Sequence, residues 1–167
     1  PITPSLRAID AINPMDDAFH NAIKAGITSA MIGPGSANVV GGQFVVLHNA
    51  GRCIDDMILR FPAALKVAFG ENPKTAYGDR DMYPSTRMGT AALLRKTLFE
   101  AVGYQERKEQ GEVEETEFEK ECWIPVLKKE IPLKAHAHRA DDILTAIRIA
   151  KEFNLDMTID HGTESHL

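Results

Sequence analysis

The feature of the sequence that most constrains the fold is a strand–helix–strand pattern between residues 131 and 160. Residues 131–136 and 155–160 are short β-prone runs, and residues 141–153 between them carry apolar side chains at helical spacing. A crossover helix of this kind joins two parallel strands of one sheet. With further β-prone runs upstream, this order predicts an α/β fold with a parallel sheet.

Upstream of this unit the sequence alternates between helical and β-prone segments. A helix is predicted over residues 14–25, with Asn13 as its cap and Gly26 as its stop. Strands are predicted at residues 27–32, 44–47 and 63–69. A long helix is predicted from Ser85, and it continues into residues 106–121, where eight glutamates indicate a solvated helix face or a mobile excursion.

The composition is that of a globular protein without an attraction for anionic polymers. The chain has 167 residues, of which 44% are hydrophobic and 26% charged, enough for one unit with a sizeable core. Its net charge of −5 disfavours nucleic acid and anionic membranes as partners, and no apolar run approaches the ~20 residues needed to cross a bilayer. Cys53 and Cys122 form neither a disulfide framework nor a zinc-knuckle pattern, which favours a reducing, cytoplasmic compartment.

A lysine interrupts one of the apolar strands. In residues 63–69, strand alternation places Lys66 on the face that also carries Ala64 and Ala68, opposite the larger apolar side chains. An ammonium group on a buried face must be paired or chemically changed, because its isolated burial is costly. Two alternatives are a lysine that reaches solvent at the strand end and a lysine that forms a Schiff base with a carbonyl substrate, as in aldolases.

Histidines cluster at the ends of the last two predicted strands. Lys134, His136 and His138 share one strand face, and His161 ends the next strand. Parallel strands present their carboxyl ends at the same edge of a sheet, where barrel enzymes build their sites. A single histidine is more often structural than a metal ligand, but three histidines on two adjacent strand ends favour a metal site.

Two segments around these histidines resemble a known family. Residues 131–143, IPLKAHAHRADDI, and residues 159–166, IDHGTESH, are similar to the fifth and sixth barrel strands of the imidazolonepropionase-like branch of the amidohydrolase superfamily. Weaker similarity to the same branch is present at residues 33–38, 41–43 and 69–74. The resemblance implies a partial TIM (β/α)₈ barrel, roughly strands 2 to 6 with their helices, with residues 1–167 forming a single fragment of the barrel domain.

The resemblance also implies a metal centre. His136 and His161 stand where the family has metal-binding histidines, and Lys66 stands where many members have a carboxylated lysine that bridges two metals. Glu71, just beyond the same strand, is the alternative bridging residue. The expected cofactor is one or two divalent ions, with zinc as the first choice.

The implied function is that of a metal-dependent hydrolase of C–N bonds, with a small amide or cyclic amide as substrate. Such a metal polarises the substrate carbonyl and activates a hydrolytic water. Substrate contacts or support of the ligands are expected from four residues at strand ends or in loops: Gln43, His138, Glu164 and His166. His166 is alternatively a plain surface residue.

The sequence departs from the family pattern in two places. It contains neither the first-strand His-x-His pair nor the last-strand catalytic Asp, so no catalytic residue is assigned within it. We therefore expect these residues to be part of a longer enzyme, inactive alone and binding metal weakly or not at all. Alternatives are an aldolase or lyase that uses Lys66 and a non-catalytic half-barrel. The unpaired sheet edges of half a barrel predict a homo-oligomer.

Overall fold

The β-prone runs of the sequence form the five strands of one sheet, as seen in a computed structural model that describes residues 1–167. The strands are β1 (Ser29–Ile32), β2 (Val40–His48), β3 (Ile58–Ala68), β4 (Leu133–Ala137) and β5 (Met157–His161). They lie in the sheet in chain order. The sheet is curled, and the α/β architecture is consistent with part of a barrel.

The prediction of a parallel sheet is correct for one half of the sheet and wrong for the other. The pairs β3–β4 and β4–β5 are parallel, whereas β1–β2 and β2–β3 are antiparallel. The reason is the length of the connections, because a parallel crossover needs roughly a dozen or more residues. Only residues 33–39 separate β1 from β2, and only residues 49–57 separate β2 from β3. The expected series of five parallel barrel strands with their helices is thus present only as β3, β4 and β5.

Seven α-helices connect or flank these strands. They are α1 (Asp17–Lys24), α2 (Ile54–Met57), α3 (Glu71–Gly78), α4 (Arg87–Glu109), α5 (Phe118–Glu121), α6 (Ile124–Leu127) and α7 (Ala140–Glu152), preceded by a 3₁₀ turn at Ala8–Asp10. None of them combines the length and the apolar character that crossing a bilayer requires.

Helix α1 is shorter than its pattern predicted. Its N-cap is Asp16, whose carboxylate accepts a hydrogen bond from the Ala18 amide at 2.8 Å. Asn13 instead accepts a hydrogen bond from the Met15 amide and forms the preceding turn. The predicted stop at Gly26 is confirmed, since this residue has a φ of +84° that favours glycine.

The apolar core lies between the sheet and helices α4 and α7. Alternate residues of β3 and β4 face these helices, as the strand pattern predicted, and leave the polar residues between them on the opposite, inner face of the sheet. Side chains of this core that are almost or wholly inaccessible to solvent include Leu65, Val67, Leu133, Ala135, Leu94, Leu98 and Ile149. The same alternation that builds the core therefore determines which residues line the inner face.

The glutamate-rich segment at residues 106–121 is largely exposed and ends in a small ion-pair cluster, in agreement with a solvated segment. Glu121 accepts hydrogen bonds from Lys108 and from the hydroxyl of Tyr104, whose ring is buried. Glu117 pairs with Lys120 at 2.6 Å. These contacts attach the segment to the end of helix α4.

An arginine joins the beginnings of three helices. The Arg87 guanidinium, in the first turn of α4, contacts the Asp142 carboxylate of α7 at 2.9 and 3.2 Å and the Glu71 carboxylate of α3 at 2.9 Å. The Asp142 side chain is only 8% exposed, so Arg87 is the cation that compensates its burial. Gly70 has a φ of +79°, and a Cβ there would lie 2.5 Å from an Asp142 oxygen, so this close approach requires glycine.

We predict that Arg87→Met lowers the free energy of unfolding by about 2 kcal/mol, because it leaves the nearly buried Asp142 carboxylate without its charged hydrogen-bond donor. Urea denaturation followed by circular dichroism measures the change. Lys96→Met, which removes an exposed cation from the same helix, is the matched control and should have little effect. Equal stability of the two variants would contradict this role of Arg87.

A second prediction concerns acid stability. The hydrogen bond from Lys108, followed by that from Tyr104, holds the pKa of Glu121 below its usual 4.5 although burial acts in the opposite direction. A carboxyl group with a lowered folded-state pKa stabilises the protein above its unfolded pKa, and this stabilisation is lost as pH falls through the folded value. Between about pH 6 and about pH 3, the unfolding free energy of the wild type should therefore fall more steeply than that of Glu121→Gln. The exposed Glu112→Gln is the control, and identical slopes for all three proteins would refute the prediction.

Candidate metal centre

Three histidines converge at the carboxyl ends of β4 and β5. The ring of His138 stacks on that of His161, with centroids 4.6 Å apart and an angle of 15° between the rings. The His136 ring stands edge-on to both, at 4.8 and 4.7 Å. One nitrogen from each ring lies within 4.8 Å of the others. The predicted convergence of imidazoles from neighbouring parallel strands is therefore present.

His161 reaches this cluster through an unusual backbone conformation. In the register of the parallel strands, Asp160 lies beside His136 and His161 lies beside Ala137, which faces the helices. Strict alternation would turn the His161 ring toward the helices as well. Its φ of +71° instead brings the ring to the inner face, and this left-handed conformation costs a residue other than glycine of order 1–3 kcal/mol.

Backbone hydrogen bonds beyond His161 hold this turn in place. The Gly162 amide donates to the Ala137 carbonyl at 3.0 Å, and the Glu164 amide donates to the His138 carbonyl at 3.0 Å. Both bonds connect the end of β5 to the end of β4. The strained residue is thus fixed by the strand that carries the other two histidines.

His136 has the properties expected of a metal ligand. It is 3% exposed, and its Nδ1 atom is buried without a hydrogen-bond partner. Burial, followed by the neighbouring His161, His138 and Lys66, lowers the pKa of His136 to about 4, although Asp160 acts in the opposite direction. At neutral pH the ring is therefore uncharged and carries a free lone pair, which is the form that binds metals. A buried polar atom without a partner needs an explanation, and a divalent ion would provide it.

His138 lies at the exposed rim of the cluster. Its Nδ1 atom is 2.8 Å from the hydroxyl of Thr163, which orients the ring and leaves Nε2 as the remaining nitrogen. Three imidazoles with one exposed side match the donor set of open zinc sites, in which three protein ligands leave a position for water or substrate. The residues present therefore fit a divalent ion.

Below the histidines, two lysines share one aspartate. The Lys66 ammonium lies 3.0 Å from one Asp160 oxygen, and the Lys134 ammonium lies 2.6 Å from the other. Lys66 is buried on the inner face and paired, which confirms the argument from strand alternation and excludes the alternative that it reaches solvent. Both ammonium groups also lie over the ring of Phe44, at 5.8 and 5.6 Å. Burial would raise the pKa of Asp160, but the hydrogen bonds from Lys134 and Lys66 outweigh it and leave this pKa below its usual value.

Sequence reasoning noted Lys134 only as a residue on the histidine face and missed its pairing with Asp160. The available signal was its position two residues before His136, which directs both side chains to the inner face. The partner could not be identified in the same way, because Asp160 lies on a different strand from Lys134.

Gln43 is not brought to the cluster, contrary to the prediction that it contacts substrate. Its amide donates to the Pro4 carbonyl at 3.1 Å and to the Cys122 sulfur at 3.3 Å. The cause is a β-bulge at the start of β2, where Gly42 rather than Gly41 pairs with Lys66. The extra residue turns Gln43 to the face that carries Leu65, opposite the histidines.

The remaining predicted residues lie around the cluster rather than in it. Glu164 accepts a hydrogen bond from the Ala140 amide at 2.9 Å and thereby caps helix α7. His166 is exposed in the last turn of the chain. Glu71 pairs with Lys74 and Arg87, so its carboxylate is part of the arginine contact described above and not of the histidine cluster.

Two known proteins are similar to this chain. The chain is similar to a crystal structure of an amidohydrolase from Thermotoga maritima MSB8, with 49% identity and a TM-score of 0.96 over 99% of this chain and 45% of that one. It is also 28% identical to Amidohydrolase tasK of Hapsidospora irregularis over 194 aligned positions, which cover 99% of this chain and 20% of that protein. No family model matches the chain. Both similar proteins are named amidohydrolases, and the chain spans less than half the length of either one.

We predict that the protein binds one Co²⁺ or Zn²⁺ through the three histidines, in contrast to the weak or absent binding expected from sequence. Their convergence supplies one imidazole more than the two histidine ligands that the resemblance implies. His136→Ala, His138→Ala and His161→Ala should each weaken binding by at least about tenfold, and the effect should be largest for His136, the buried ring of the three. Isothermal titration and the visible spectrum of Co²⁺ measure these changes. The exposed His20→Ala is the control, and wild-type affinity in all three cluster variants would rule out the site.

Proposed function

We propose that this chain carries part of the metal centre of a hydrolase that cleaves the C–N bonds of amides or cyclic amides. The observation that carries the proposal is the convergence of His136, His138 and His161 at the carboxyl ends of neighbouring parallel strands. The 49% identity to a solved amidohydrolase over nearly the whole chain supports it. The motifs at residues 131–143 and 159–166 favour the imidazolonepropionase-like branch and therefore a cyclic amide as substrate.

His136 and His161 are the proposed principal ligands, and His138 is a third donor at the rim. A divalent ion held there, with zinc as the first choice, would supply Lewis acidity that polarises a carbonyl and makes water more acidic. The burial of His136 keeps its ring neutral and available, and Thr163 keeps the His138 ring oriented. These residues hold and orient the donors, and the exposed side of His138 is where a small substrate would approach.

Lys66 is the proposed further ligand, in a form carboxylated on Nζ. Its support is its burial on the inner face, on the strand next to that of His136. In the structure its ammonium is paired with Asp160. Loss of one proton to solvent, followed by addition of the amine to CO₂ with release of a second proton, would convert this cation into a carbamate anion that faces cations. Glu71 is not proposed for this role because its carboxylate faces Arg87 and Lys74.

The complete enzyme is proposed to be a TIM barrel of which these residues form part. The other ligands of the family, a His-x-His pair and an aspartate, are proposed to come from elsewhere in that barrel. Strand β5 pairs only with β4, so its other edge is open to further strands. Alternatively, a second copy of the chain covers this edge. Light scattering distinguishes such a homo-oligomer from an edge that is covered by further strands of the same barrel.

The three histidines argue against the aldolase alternative. A Schiff base forms on the lysine amine alone, so a cluster of imidazoles at the strand ends has no role in such a reaction. Borohydride trapping with a carbonyl compound should therefore produce no covalent adduct at Lys66.

We predict that ¹³C-bicarbonate with Zn²⁺ produces a carbamate signal in the NMR spectrum of the wild-type protein and none in Lys66→Met. The exposed Lys74→Met is the matched control and should retain the signal. In a full-length protein that contains these residues, Lys66→Met should lower hydrolysis of cyclic amides by about 100-fold or more. A carbamate signal that survives in Lys66→Met would remove Lys66 from the site, and metal-independent hydrolysis would overturn the proposed function itself.

A further inference from the structure

We propose that Lys134 is a positioning residue that holds His161 in its metal-binding conformation through Asp160. This inference rests on the proposed function, because the property it affects is metal binding by the histidine cluster. Lys134 does not contact the metal-binding nitrogens, and its effect is exerted on the backbone of β5.

The first observation is the position of Asp160. This residue immediately precedes His161, whose left-handed backbone turns the ring away from the helices. The backbone hydrogen bonds described above fix the chain after His161. Before His161, the backbone lies in the ladder between β4 and β5, and the Asp160 carboxylate adds a side-chain anchor to two lysines, on β4 and β3. Releasing this anchor would loosen one side of the strained residue.

The second observation is the unequal geometry of the two lysines. Lys134 is closer to Asp160, at 2.6 Å against 3.0 Å for Lys66. It also belongs to β4, where it precedes His136 by two residues on the same face. Lys134 therefore connects the strand of one histidine directly to the residue before the other. Lys66 lies one strand further away, on β3.

The third observation is the number of charges. Two ammonium groups face one carboxylate on the inner face, and Lys66 and Asp160 are 4% and 21% exposed at their side chains. One cation is enough to neutralise Asp160. A second cation is redundant for the carboxylate and unfavourable beside a bound metal ion. The arrangement is explained if Lys134 is the permanent partner of Asp160 and Lys66 is available for another role.

The experiment measures Co²⁺ affinity and the visible Co²⁺ spectrum of the protein with one residue changed at a time. Lys134→Met keeps most of the side-chain length but removes the charge, and it should weaken Co²⁺ binding by about tenfold or more and change the spectrum. Lys134→Arg retains a cation for Asp160 and should bind within about threefold of wild type. Lys151→Met, on the exposed side of α7, controls for the loss of one positive charge and should bind Co²⁺ as the wild type does.

The outcomes separate this inference from the proposed function. If the wild type binds Co²⁺ and Lys134→Met binds it equally well with an unchanged spectrum, the positioning role is wrong and the metal centre stands. If the wild type binds no metal, the proposed function fails and the inference fails with it. Should Lys134→Met not fold, Lys134→Arg and Asp160→Asn carry the test, and equal, wild-type-like affinity in both would overturn the role of this ion pair.

Discussion

The separation of apolar and polar residues onto the two faces of β3 and β4 is the constraint on which the rest of the structure depends. Large apolar residues of these strands pack against helices α4 and α7, and this packing fixes which face of each strand is turned toward the helices. The residues between them must then point to the opposite face of the sheet. Lys66, Lys134 and His136 lie on the inner face because their neighbours are required in the core. The metal-binding face is thus a consequence of how the core is built.

This constraint explains the positions of His136 and His138 but not that of His161. The first two follow from alternation within one strand, whereas the third depends on a local break of alternation at the end of β5. Such a conformation persists only where its surroundings determine it from several sides. The hydrogen bonds to β4 after His161 and the ion pairs of Asp160 before it are such surroundings. The site therefore combines a regular strand with one strained residue.

The parts of the structure that were predictable from sequence are those that local pattern determines. The unit β4–α7–β5 was predicted because periodicity and chain order suffice for a crossover connection. The antiparallel pairing of β1, β2 and β3 was not predicted. It depends on the lengths of the connections, and short β-prone runs leave these lengths uncertain. The direction of the Gln43 side chain was not predictable either, because one additional residue in the bulge of β2 turns it to the face opposite the histidines. The contact of Lys134 with Asp160 joins two strands separated by a helix, and no pattern within either strand contains it.

The charge of the inner face connects these observations to the proposed chemistry. Two lysines and one aspartate leave an excess positive charge beside three imidazoles, which opposes both protonation of His136 and the arrival of a divalent cation. A cation site built on this framework needs a loss of positive charge nearby. Carboxylation of Lys66 would change its charge from positive to negative, and Lys134 would still neutralise Asp160. The redundancy of the two lysines is then what allows the inner face to change its charge without releasing the residue that precedes His161.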